Sequence, residues 1–269
     1  MLTDRQFFEL AVFVYGVSLL YSVFLLRQGL RRDTWVNYFV LLAGFGAHTV
    51  AVLQRGVEQH RCPIGNLYEV TSFIIWTIAG AYLVMGLWGR VRSFGAFVAP
   101  VVFGVGVFAL LVPPDSAANY RGGLVSAHVA LIALAYGAFG LGSIAAAMYL
   151  VQDRNLKLHK LRAALSFLPP IQRLEAIMSG LLSAGFALLT AGLAFAPMLA
   201  KQQDVVALLR GDPKIMWSAL VWLIYLALVV LRWGFRQHGK RLAWGAVASF
   251  TFVMLTFWGF NLLSPIHNP

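Results

Sequence analysis

Apolar residues run along this chain in eight long blocks, near residues 7–26, 36–53, 67–88, 94–112, 123–151, 174–199, 215–231 and 242–263. Each block approaches the roughly 20 residues that a helix needs to cross about 30 Å of hydrocarbon. The breaks between blocks carry charge or proline: RQGLRRD, QRGVEQHRCP, GRVRS, PPDSAANYR, DRNLKLHKLRAALSFLPPIQR, the stretch from Lys201 to Lys214, and RWGFRQHGKR. The pattern predicts an all-α membrane protein of about eight transmembrane helices, forming a single polytopic membrane domain over residues 1–269. The opening MLTDRQFFEL holds an acidic residue and one Arg, with no small-residue cleavage site after its apolar run. The first block therefore reads as a retained helix, not a removed signal peptide.

Composition agrees with the pattern. Hydrophobic residues make up 60% of the chain and charged ones 12%, whereas soluble domains run near a quarter charged. The net charge of +11 would point to nucleic acid in a soluble protein. Here the basic residues are scattered among short loops, so no nucleic-acid partner is expected, and the positive-inside bias accounts for them. Loops 1–2, 3–4, 5–6 and 7–8 hold fourteen of the 21 Lys and Arg residues. That asymmetry predicts both termini outward, on the periplasmic side of a bacterial plasma membrane. Within loop 5–6, Asp153–Arg173 mixes Leu156, Leu158, Leu161, Leu165 and Leu168 with Lys157, Lys160 and Arg162. It reads as a short interfacial helix whose basic residues meet lipid headgroups. Gly137, Gly140 and Gly142 suit close helix packing in lipid.

Orientation sorts the six histidines. His159 and His238 fall in basic inner loops, where a solvated or headgroup-facing imidazole is expected. His60, His128 and His267 lie outward, and His48 sits inside the second span. An ionisable residue within a span is a functional candidate; a neutral imidazole hydrogen-bonded to a neighbouring helix is the other reading of His48. Imidazole is the commonest neutral metal ligand and a usual axial ligand of haem iron. No HExxH spacing or acidic cluster points to a hydrolytic metal site. With one cysteine, Cys62, there is neither an internal disulfide nor a Cys-based cluster. A flat apolar cofactor held by two His is the simplest metal reading. Asn66-Leu67-Tyr68-Glu69 fits an N-cap with a reciprocal Glu, and Asp212-Pro213-Lys214 fits a helix start. Trp35, Trp76, Trp88, Trp217, Trp233 and Tyr120 read mostly as interfacial anchors.

Four stretches resemble the haem-handling cytochrome c assembly family, the CcsA-type proteins and their shorter HemX-like relatives. The first is His48, Arg55 and then His60-Arg61-Cys62-Pro63-Ile64-Gly65-Asn66-Leu67-Tyr68-Glu69. The second is Ser126-Ala127-His128-Val129 with Leu134-Ala135-Tyr136. The third is Asp212-Pro213-Lys214 with Trp217, Trp222-Leu223-Ile224-Tyr225 and Arg232, and the fourth is Gly259-Phe260-Asn261-Leu262-Leu263-Ser264 ending at His267. Together they run in family order from about residue 40 to the end.

The resemblance implies haem b as cofactor, with His128 and His267 as external iron ligands and His48 and His60 as further metal candidates. It implies a haem-binding loop of Arg210, Asp212, Pro213, Lys214 and Trp217, with Arg210 and Lys214 pairing with the propionates. It also implies biogenesis of cytochrome c by presenting haem to apocytochrome c, together with a second assembly membrane protein and membrane lipid. No independent catalytic residue stands out, so membership of a haem-attachment complex leaves enzymatic activity open. Two departures keep an alternative in view. Val205–Gly211 lacks the tryptophans that full-length relatives place before Asp-Pro-Lys, and Val230 stands where a His often precedes Arg232 by two. The alternative is a HemX-like accessory or regulatory protein without retained haem. A solute transporter or redox-complex anchor is a third class, against which no Gly/Pro-broken spans stand in matching halves.

Overall fold

The computed structural model describes residues 2–27, 34–60, 62–112, 123–158, 168–199 and 213–262. Among these residues eight long helices follow one another: α1 (Asp4–Arg27), α2 (Thr34–Gln59), α3 (Leu67–Gly86), α4 (Gly95–Leu111), α5 (Gly123–Leu158), α6 (Ile171–Ala194), α7 (Pro213–Trp233) and α8 (Lys240–Leu262). A 3-10 turn, Gly89–Phe94, leads into α4, and a short helical turn, Ala196–Leu199, follows α6. Seven of the long helices are long and apolar enough to cross a membrane. The expected all-α membrane architecture of about eight helices is thus what the chain adopts.

The helices form two groups of four. In the first, α1 and α3 each pack against α2 and α4; in the second, α5 and α7 each pack against α6 and α8. The groups meet mainly where α3 packs on α5. Gly137 and Gly140 make that seam possible. Gly137 faces the Thr77 side chain, and a β-carbon on Gly140 would stand 2.9 Å from Ile78 Cδ1. Within the second group, a β-carbon on Gly185 would stand 2.5 Å from the Phe139 ring. Helices in lipid gain little from apolar burial against each other, so close approach at small residues carries the packing.

Alternation of the helices gives the bundle two ends. The near face collects the start of α1, the end of α2, the start of α3 and the end of α4. Arg5 there donates to the Leu110 carbonyl at 3.1 Å, and Arg55 pairs with Asp4 at 2.8 Å. The far face collects the opposite ends. Helix α5 has 36 residues, about 54 Å at 1.5 Å per residue, well beyond the hydrocarbon thickness. The interfacial segment expected from Asp153 is accordingly divided. Asp153–Leu158 is the last part of α5, Arg173 lies in the first turn of α6, and residues 159–167 lie outside the described residues. His238, expected to face solvent or headgroups, is exposed on the far face, where its Nδ1 also lies 2.8 Å from Glu175 Oε1, with Arg232 against the same ring.

Candidate functional site

His128 lies in the second turn of α5 at the near face, half-buried. Its Nδ1 is 2.7 Å from the Gly192 carbonyl of α6. That carbonyl, two residues before α6 ends at Ala194, accepts the Phe195 N–H of the C-cap at 3.1 Å, and its second lone pair serves His128. The approach depends on glycine, since a β-carbon at 192 would sit 2.9 Å from Ile132 Cγ1. A carbonyl only accepts hydrogen bonds. Nδ1 therefore carries the proton, and in the neutral ring the lone pair is on Nε2.

Trp217 stands one turn into α7, 2% exposed. Its Nε1 donates to Thr256 Oγ1 of α8 at 3.0 Å, and its ring meets Tyr136 of α5 edge-on at 6.3 Å. The indole therefore ties three helices together at the end of the bundle that carries His128. Trp76 and Trp222 behave similarly, donating to Thr49 and Thr190, each at 2.9 Å. These rings are interhelical donors, a role that sequence position alone does not distinguish from interfacial anchoring. Pro213 and Lys214 open α7. Arg210, Asp212 and His267 lie outside the described residues, as do the side chains of Pro213 and Lys214.

His48 is fully buried in α2. Its Nδ1 lies 3.3 Å from the Tyr15 hydroxyl of α1 and its Nε2 lies 2.9 Å from Ser72 Oγ of α3. The Phe8 ring packs on it at 4.9 Å. Both hydroxyls can donate or accept, so either neutral tautomer is satisfied. His60 is exposed just past the end of α2, with φ of 50° and its N–H donating to the Val57 carbonyl at 3.2 Å. It serves there as the left-handed residue that turns the chain out of the helix. The structure thus places His48 in the first helix group and His128 in the second. Among the described residues no three His, Cys, Asp or Glu side chains gather where they would hold a metal ion.

One near-face cluster has no clear counterpart in the sequence pattern. Arg55 Nε donates to Glu69 Oε1 at 2.7 Å while its Nη1 donates to Asp4 Oδ2 at 2.8 Å. Glu69 Oε2 accepts from the Gly65 N–H at 2.6 Å, and the Glu69 N–H donates to Asn66 Oδ1 at 2.8 Å. The expected cap is present, although the Glu reaches one residue past the N-cap. Asp4, Arg55, Pro63, Tyr68, Glu69 and Ser72 line a recess of about 10 Å³, room for about one water and far below the 300–1,000 Å³ of usual organic-ligand pockets. The sequence carries the Asn66–Glu69 cap; for the ion pairs it offers an acidic residue in the first turn of α1 and a basic one in the last turns of α2.

The family model described as cytochrome C assembly protein matches residues 64–267. Protein HemX of Brevibacillus brevis is 25% identical over 265 residues, covering 96% of this chain and 96% of that protein. Cytochrome c biogenesis protein CcsA of Guillardia theta is 26% identical over 265 residues, covering 90% of this chain and 88% of the relative. The CcsA protein of Microcystis aeruginosa is 25% identical over 283 residues, covering 83% and 86%. The matched region takes in all of α3 to α8 with the His128–Gly192 contact, and on that extent the chain belongs to the cytochrome c assembly protein family.

Proposed function

We propose that this protein serves cytochrome c maturation by holding haem b at its near face, where His128 would be one ligand of the iron, and offering it to apocytochrome c. The observation that carries this reading is the 2.7 Å contact from His128 Nδ1 to the Gly192 carbonyl. A ligating imidazole commonly has its other nitrogen fixed by a carbonyl or carboxylate, which sets the tautomer and orients the ring. His267 would be the second ligand. Arg210 and Lys214 would pair with the propionates as charge-assisted donors, beside Asp212, Pro213 and Trp217. When bound, haem supplies the porphyrin edge to which the apocytochrome thiols attach. This chain supplies ligation, orientation and an apolar shield. The names of the CcsA relatives, cytochrome c biogenesis proteins, support the same assembly role. A second assembly membrane protein would bring the apocytochrome. The far-face loops hold fourteen of the 21 basic residues, so the near face would point outward from a bacterial plasma membrane.

The test is an absorption spectrum of the protein purified in mild detergent, oxidised and reduced, beside His128→Ala and His128→Ala/His267→Ala variants. A Soret band in the parent that weakens in the single variant and vanishes in the double one is expected. An unchanged band in both variants would remove the ligand assignment. A second reading, a HemX-like accessory protein on the same scaffold without retained haem, is favoured by Trp217. That ring is buried and its N–H bonds to Thr256, so it contributes to bundle packing instead of an open porphyrin platform. Absence of any Soret band with haem supplied during expression would select this second reading.

A further inference from the structure

We propose that the far-face turn between α3 and α4 binds the phosphate of an anionic phospholipid, with Arg92 at its centre. Arg92 is buried, 9% exposed, and its guanidinium lies over the Trp35 ring with Cζ 3.4 Å from the ring centroid. Tyr38 stands farther off at 5.9 Å. The backbone of the turn is fixed, since the Tyr82 hydroxyl donates to the Arg92 carbonyl at 3.1 Å. The guanidinium has no carboxylate within reach among the described residues, and its Nε is closed from solvent with no acceptor. The neighbouring Ser93 hydroxyl, 4% exposed, is likewise buried without a partner.

A cation removed from water needs a counter-charge close by, and stacking on an indole replaces only part of its hydration. Among the described residues, two adjacent donors are thus left without acceptors, and an anion seated at this turn would satisfy them. The surroundings identify its source. Trp35 is 44% and Trp88 60% exposed at the same end of the bundle, the headgroup level at which tryptophans anchor. The anion available at that depth is lipid phosphate. A guanidinium can donate to two phosphate oxygens at once, and the serine hydroxyl can donate to a third. The chain's net charge of +11 disfavours the ammonium of a zwitterionic headgroup and selects an anionic lipid.

The experiment is native mass spectrometry of the delipidated full-length protein, titrated with phosphatidylglycerol, phosphatidylcholine or inorganic phosphate. The wild type should retain one phosphatidylglycerol more tightly than phosphatidylcholine. Arg92→Gln should weaken that binding about tenfold or more, the scale of one lost charge-assisted hydrogen bond. Arg92→Lys should weaken it less, and Arg241→Gln, in the first turn of α8 on the same face, should leave it unchanged. Equal phosphatidylglycerol retention by a folded Arg92→Gln protein overturns the proposal. Displacement of the lipid by millimolar inorganic phosphate overturns the lipid assignment. If Arg92→Gln does not fold, Ser93→Ala decides: a severalfold loss supports the site, and unchanged retention rejects it.

Discussion

Glu69 meets three obligations with one residue. Its carboxylate bonds to Arg55 and to the Gly65 N–H, while its own N–H is capped by Asn66. Its side chain is fully buried, so each oxygen needs such a partner. Removing one member of a buried ion pair leaves the other charge uncompensated, at about 3–5 kcal/mol. Arg55→Gln should therefore cost about that much in unfolding measured by denaturing-detergent titration in mild micelles. Arg55→Gln/Glu69→Gln should recover a large part of it, because both charges leave together. An Arg55→Gln protein no less stable than Arg236→Gln, which changes an exposed arginine, would show that the network does not hold the near face. Half of this arrangement was readable beforehand. The Asn66-x-x-Glu69 spacing gave the cap because capping is local. The Asp4–Arg55 bond was not readable, since 51 residues separate its ends and no local pattern records which helix ends meet.

At the scale of elements, apolar blocks announced the helices because a lipid-crossing segment must satisfy its own backbone, and the fold class followed from that one constraint. Helix ends were less readable. Helix α5 runs seven residues past the apolar block that ends near 151, through Asp153 and Arg154, because charged residues outside the hydrocarbon can continue a helix unhindered. The roles of the tryptophans were also hidden. A tryptophan near a span end reads as an anchor, but Trp217 donates to Thr256 across α7 and α8. Interhelical hydrogen bonds of this kind contribute about 0.6–2 kcal/mol. Trp217→Phe, which keeps most of the ring, should lower stability by that amount, and Thr256→Val should do the same. The double variant should be no worse than either single one, because both remove the same bond. Additive losses would mean that the indole N–H contributes nothing and that ring packing alone matters. The same Trp217→Phe protein separates structure from site: unchanged haem content beside reduced stability would assign Trp217 to docking α7 and not to the cofactor.

The whole molecule sets His128 and the ion network at one end and the Arg92 turn with the Glu175–His238 contact at the other. Which end faces the cytoplasm decides whether His128 can meet an exported apocytochrome. The charge asymmetry predicts the answer through the energetics of insertion: basic loops remain on the cytoplasmic side. The chain's single cysteine, Cys62, makes this directly measurable. In a Cys62→Ser background, Arg154→Cys places a thiol on the exposed far-face end of α5, and His60→Cys places one on the exposed near-face turn after α2. A membrane-impermeant maleimide applied to intact spheroplasts should label position 60 and spare 154, and inverted vesicles should reverse the result. The opposite pattern would put His128 in the cytoplasm. That would rule out outward presentation of haem from this face, while the Arg92 phosphate site would stand, because anionic headgroups are present in either leaflet.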